Sequence, residues 1–82
     1  MKPKKILKEL ETIITENEID IVHGNGAFSG GFCLLNNLPV VVINKRIPVE
    51  EKSTVLVEII HEKELNYTDC NKSVKEFIDR FK

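Results

Sequence analysis

Apolar residues recur with helical spacing at both ends of this chain and run almost unbroken through its middle. Ile6, Leu7, Leu10, Ile13 and Ile14 fall at i, i+1, i+4, i+7 and i+8. That single stripe predicts a first helix from residue 3 or 4 to about 17. Pro3 suits its first turn, where a missing N–H costs nothing. Its charges run against the helix dipole, lysines first and glutamates last. Packing rather than local electrostatics must therefore hold it. Toward the other end, Val49, Leu56, Ile59 and Ile60 form the core stripe of a second helix. It opens at Pro48 as first helical residue, with Glu50 and Glu51 behind it, and ends near Lys63. A last helix places Val74, Phe77, Ile78 and Phe81 at i, i+3, i+4 and i+7. Asp69 or Asn71 can cap it, and Ser73 and Glu76 stand at capping-box spacing.

Between the helices the period changes. Ile19-Asp20-Ile21-Val22 alternates and is rich in β-branched residues, which reads as a short strand ended by Gly24-Asn25-Gly26. Phe32 to Leu35 and Val40 to Ile43 are apolar runs on either side of Asn36-Asn37-Leu38-Pro39, and this reads as a hairpin. Asn36 and Asn37 tolerate the positive φ that a tight turn demands. Both hairpin strands are apolar at every position rather than at alternate ones. Such a sheet should be covered on both faces, either by the last helix or by another subunit. The expectation is one α+β domain over residues 1–82, in the order α-β-β-β-α-α. A small, mostly antiparallel three-stranded sheet is packed by helices, and the last helix completes the core. Strand order stays open, because short loops allow more than one pairing.

Charge divides the chain into blocks. Lysines crowd residues 2–8, acids alone occupy 9–20, and Ile21 to Asn44 carries no charge at all. With 12 basic and 13 acidic residues the formal net charge is −1, which argues against a generic binder of nucleic acid or anionic membrane. The uncharged block holds four glycines, His23, several asparagines and Pro39, so it is no membrane-spanning helix. Lys8, Glu9 and Glu11 interrupt the first apolar run, which is therefore no signal-peptide core. Cys33 and Cys70 are too few for a disulfide scaffold, and read as reduced thiols of a cytoplasmic protein.

Each motif that could carry chemistry lacks a part. The loop from Gly24-Asn25-Gly26 to Gly30-Gly31 resembles a phosphate loop, but a strand follows it and no lysine accompanies it. His61-Glu62-Lys63-Glu64-Leu65 begins as a zinc-peptidase helix motif, yet Leu65 stands where the second histidine belongs. Glu58 and His61 share a Glu-x-x-His spacing used in di-iron bundles, whose other carboxylates are not evident here. Cys33 with His23 or His61 would be a nucleophile and base only if the fold joined them. Lys45-Arg46 reads as a solvated strand end. His23, Cys33, Glu58 and His61 are thus the candidates for a metal-binding or hydrolytic site, should one exist. No cofactor is implied.

Gly30-Gly31-Phe32-Cys33, then Pro39 to Pro48 with its Asn44-Lys45 strand end, then Glu50-Glu51-Lys52, resembles a group of small uncharacterised bacterial proteins. The resemblance implies a bacterial cytoplasmic protein and carries no established function. A fainter similarity is to the N-terminal half of ImmA/IrrE-type zinc metallopeptidases, in which a strand ending in Ile-Asn and a Pro-Glu helix start precede the zinc helix. Aligning Ile43-Asn44 and Pro48-Val49-Glu50 on that pattern puts Glu58 and Glu62 near the positions of the two histidines, and Ile59 near the catalytic glutamate. It therefore implies a shared scaffold without the peptidase chemistry. The favoured expectation is a non-enzymatic interaction or regulatory domain that forms a homo-oligomer, with a protein partner as a further possibility and without nucleic-acid or membrane partners.

Overall fold

A computed structural model describes residues 2–26, 30–68 and 70–80 of the chain. The elements are α1 (Pro3–Glu16), β1 (Asp20–Gly24), β2 (Gly30–Leu35), β3 (Leu38–Asn44), α2 (Val49–Glu62) and α3 (Lys72–Arg80). This is the expected α+β order. The sheet is mixed where a mostly antiparallel one was expected. Its strand order is β1-β3-β2, with β1 parallel and β2 antiparallel to the central β3. The geometry explains why. Residues 25–29 can span up to roughly 17 Å when extended, and crossing the width of one intervening strand needs about 10 Å. The connection is long enough to carry the chain from β1 to the far edge, and the hairpin then returns β3 into the gap.

That hairpin closes on two residues. Leu35 pairs with Leu38, and Asn36 and Asn37 adopt φ of 54° and 66°. Two consecutive positive values are those of a type I′ turn, which matches the twist of the flanking strands. The turn is tighter than the four-residue connection expected, and it draws Leu38 and Pro39 into β3. Proline in a central strand ordinarily removes a ladder bond. Here β1 begins only opposite Val40, so at Pro39 the strand is still an edge. The pair Leu35–Leu38 is the hydrogen-bonded one in such a hairpin, and alternation directs the Pro39 nitrogen away from β2. No donor is missed.

Side chains alternate across the sheet. Val41 and Ile43 of β3 are fully buried and belong to one core cluster with Leu10, Ile13 and Ile14 of α1 and Leu56, Val57, Ile59 and Ile60 of α2. Complete burial of each such side chain contributes about 1.5–3 kcal/mol. Buried Ser53 lies on the same side of α2 as Leu56, Val57 and Ile60. Helix α3 adds Val74 and Ile78 to this cluster and packs against α1 rather than on the sheet. The last helix therefore completes the core, as expected, from the helical side only. On the second sheet face Val40 and Asn44 are buried while Val22, Leu35 and Leu38 are exposed, and no described helix packs there.

Both long helices stop by the same device. In α1 the Glu18 amide donates to Thr15 O and the Ile19 amide to Ile14 O; in α2 the Glu64 amide donates to His61 O and the Leu65 amide to Ile60 O. These are Schellman pairs, with Glu18 and Glu64 at φ of 64° and 52° in the left-handed position that glycine prefers. Helix starts differ slightly from expectation. Pro48 is the residue before α2, not its first helical one. At α3, Asn71 is the cap, its Oδ1 accepting from the Ser73 amide at 2.9 Å. Ser73 thus lies inside the helix and no Ser73–Glu76 capping box forms. The Asp69 alternative and Phe81 lie outside the described residues. Strand β1 likewise starts at Asp20 and reaches Gly24, beyond the expected Ile19–Val22.

A glutamate in the left-handed region carries a steric cost of about 1–2 kcal/mol. It also places negative charge at the negative end of a helix. Glycine removes both effects and gives back part of the gain as chain entropy. Glu18→Gly and Glu64→Gly should each stabilise the fold by about 0.5 kcal/mol, and the double variant should raise Tm by about 4–8 °C. Differential scanning calorimetry checks this; an unchanged or lower Tm would contradict the cap assignment.

Candidate functional site

The four candidate side chains lie in separate surroundings. His23 stands on β1 opposite Ile43, on the helix-covered face, with its Nε2 3.4 Å from Glu11 Oε2 of α1. Cys33 stands on β2 opposite Val40. Positions 40 and 43 of one strand point to opposite faces, so the sheet itself separates Cys33 from His23. Cys33 is exposed on the uncovered face, where neither histidine reaches it. The nucleophile-and-base arrangement does not form.

His61 is occupied structurally. Its Nε2 lies 2.7 Å from the carbonyl oxygen of Ile78, so that nitrogen carries the proton and donates. Ile78 O is among the last carbonyls of α3, which have no partner within the helix. His61 of α2 thereby caps α3. Its ring also meets Tyr67 edge-on, with centroids 6.4 Å apart, and the Tyr67 hydroxyl donates to Asp79 Oδ1 at 2.8 Å. Glu58 points elsewhere, into a groove between α2 and the edge of β2. Among the described residues no three of His, Cys, Asp and Glu converge as a metal site would require. Of the glycine loop, Gly24 and Gly30–Gly31 belong to strands, and residues 27–29 lie outside the described residues. Gly30 has a φ of 146°, and a Cβ there would lie 2.5 Å from Val42 O. The position admits only glycine for packing reasons, apart from any ligand.

Two asparagines matter more than the sequence suggested. Asn44 is buried at the end of β3. Its Nδ2 donates to Gly26 O at 2.7 Å and its Oδ1 accepts from the Arg46 amide at 2.9 Å. It ties both connections at this end of the sheet to one side chain. Asn17 does the same at the helical end: its Nδ2 donates to Ile13 O and Asn66 O, and its Oδ1 accepts from the Asn66 amide. Spacing alone gave neither of them a role, since an asparagine at the end of a strand or a helix is unremarkable until its partners are placed. Truncating Asn44 to alanine removes two part-buried hydrogen bonds to the Gly26 carbonyl and the Arg46 amide. It should cost about 1 kcal/mol, measurable as a lower midpoint in urea unfolding.

What remains accessible is surface of two kinds. One is the uncovered sheet face, on which Val22 is 44%, Leu35 58% and Leu38 60% exposed beside Cys33. The other is the groove of about 370 Å³ beside β2, lined by Gly30, Phe32, Val55, Glu58, Glu62 and Lys63 among others. Neither holds a convergent set of acid, base and nucleophile. Among the described residues, Tyr67 and Cys70 of the α2–α3 connection are shifted upward from their ordinary values. The bond to Asp79, with burial second, raises Tyr67 above the usual tyrosine value. Burial raises the Cys70 thiol, whose Sγ also donates to Tyr67 O at 2.8 Å. Cys70 is therefore a structural thiol, less reactive than an ordinary cysteine.

Comparison with known proteins adds no relative: no protein family matches the chain, and no curated protein or solved structure is significantly similar to it. No described helix is long and apolar enough to cross a membrane.

The chain has one tyrosine and no tryptophan, so absorbance near 295 nm reports Tyr67 alone. The neutral hydroxyl is the form the fold favours. Stability from this bond is complete below the unfolded tyrosine pKa of about 10 and is lost as pH rises through the higher folded value. Titration of the native protein should give a midpoint above 10, and Asp79→Ala should return it toward 10. Equal midpoints would show that the bond does not persist in solution.

Proposed function

We propose that this chain is a small non-enzymatic interaction domain, acting in a bacterial cytoplasm, that self-associates through its uncovered sheet face. One observation carries the reading: the helices all lie on one side of the sheet, and the other side presents Val22, Leu35 and Leu38 to solvent. Single exposed apolar residues are ordinary, but Leu35 and Leu38 are directly paired and exposed together at the hairpin end, with Val22 on the same face, and such a grouping supports a contact surface. The occupant best suited to it is a second copy. The face is built from the uncharged block Ile21–Asn44, flanked at one corner by Asp20. A two-fold axis brings like against like, and a surface almost without charge meets its own copy without repulsion. The separation of His23, Cys33 and His61 further favours binding over catalysis.

Size sets the strength. Three strands at ~4.8 Å spacing and about five paired residues at ~3.3 Å give a face of roughly 15 by 17 Å. That is well under the ~800 Å² per partner of a standard stable interface. The association should therefore be reversible and micromolar or weaker. Sedimentation velocity across about 5–500 μM should show the weight-average coefficient rising toward that of a dimer, and Leu35→Lys with Leu38→Lys should hold it at the monomer value. Cys33 supplies an internal reporter. It should react with a thiol reagent freely in dilute solution and more slowly in concentrated solution, while Cys70 stays slow throughout. A constant sedimentation coefficient together with an unchanged Cys33 rate would refute the proposal.

A further inference from the structure

Strand β2 is an edge: it pairs with β3 on one side and with no described strand on the other. The hairpin fixes which of its groups are free. Leu35 opposite Leu38 is a hydrogen-bonded pair, and so by alternation are Cys33 opposite Val40 and Gly31 opposite Val42. The N–H and C=O groups of Gly30, Phe32 and Leu34 therefore point outward. Natural edges are blunted by charge or proline. At the other edge β1 carries Asp20 and the His23–Glu11 pair. Strand β2, Gly-Gly-Phe-Cys-Leu-Leu, carries neither charge nor proline.

Beside this edge runs α2, and the two enclose the groove already described. Its floor is low because Gly30 has no side chain and can have none. Its far wall is a row along α2, Glu51, Val55, Glu58 and Glu62, at i, i+4, i+7 and i+11; the groove at Gly30 is continuous with a second hollow through Val55 and Glu58. Lys63 closes one end, its Nζ 4.4 Å from the centroid of the Phe32 ring that lines the same groove. A chain entering here meets unpaired backbone groups on one side and a line of carboxylates on the other.

We propose that this groove binds an extended peptide segment by strand addition to β2, and that the segment carries lysine or arginine at alternate positions. An added strand turns every second side chain toward the helix-covered face. Those side chains descend between β2 and α2, where Glu58 and Glu62 stand one turn apart. Backbone pairing with Gly30, Phe32 and Leu34 supplies affinity, and the carboxylates supply the preference for a basic residue. This surface lies on the opposite side of the sheet from the self-association face, so the two proposals stand or fall separately.

The test is fluorescence polarisation with a dye-labelled peptide of about nine residues that alternates valine with lysine. Two control peptides replace lysine by glutamate, or N-methylate alternate backbone nitrogens. The lysine peptide should bind. The glutamate peptide should bind at least about tenfold more weakly, and the N-methylated peptide should not bind, because it cannot pair with an edge. Glu58→Lys with Glu62→Lys, both exposed positions, should weaken the lysine peptide about tenfold while leaving self-association unchanged. Amide shifts in NMR spectra should move at Gly30, Phe32 and Leu34 and not at Val22 or Leu38. Absence of binding at millimolar peptide, equal binding of the N-methylated peptide, or shifts confined to the Val22–Leu38 face would each overturn it. So would a β2-to-β2 pairing between two copies that excludes the peptide.

Discussion

The fold depends on one strand having two neighbours. β3 alone is paired on both sides, and Val41 and Ile43, on one of its faces, are the sheet's fully buried contribution to the core. Helix α2 packs on β2 and β3, α1 packs on β1 and on α2, and α3 joins the core through α1. A domain of this size buries only about 60% of the surface its unfolded chain exposes, and it places that burial on one side. The single-sidedness then decides the rest. Helices must collect on the covered face, and whatever function the chain has must use the surfaces that remain.

Holding three helices over a small sheet requires stopping each at the right place. The α1 and α2 ends use paired carbonyl bonds followed at once by a buried or half-buried apolar residue, Ile19 or Leu65. Those residues anchor the exits of the helices to the core. Side chains from neighbouring elements then fix the helices to one another. Asn17 at the end of α1 holds the backbone of Asn66 beyond α2, and His61 of α2 holds a terminal carbonyl of α3. A histidine that looked like half of a zinc motif is thereby explained as a cap. Its chemistry is spent on a hydrogen bond that a carbonyl in the last turn of α3 would otherwise lack.

Local pattern and tertiary arrangement were legible to different degrees. The helices were visible because their stripes are regular, and the turn because Asn36-Asn37 suits paired positive φ values. Pairing order was not visible. Ile19 to Val22 reads identically whether it lies beside β2 or β3, and only the span of residues 25–29 permits the parallel placement. Unbroken apolar strands suggested cover on both faces, by the last helix or by another subunit; the last helix lies on the covered side, and Val22, Leu35 and Leu38 on the other side are exposed. The candidate chemistry was misleading for a related reason. Spacing along the chain carries no information about which side of a sheet a residue occupies, and Cys33 and His23 are divided by that fact alone.

The uncharged block is the feature that joins fold to function. A solvent-facing position on a small sheet is ordinarily taken by a lysine or glutamate, which costs little and guards against association. Between Ile21 and Asn44 no such residue occurs, although the flanking segments are densely charged. Folding does not require this. For the core, Ile21, Val41, Ile43 and Phe32 must be apolar because they pack against the helices, and Val40 because it is buried on the other face. The exposed face and the free edge of β2 could carry charge without disturbing it. Their lack of charge is the physical basis of both proposals, and in the second the acids of α2 would set the preference among occupants. The proposed interaction role rests on where charge is missing, in a chain that has charge to spare in its flanking segments.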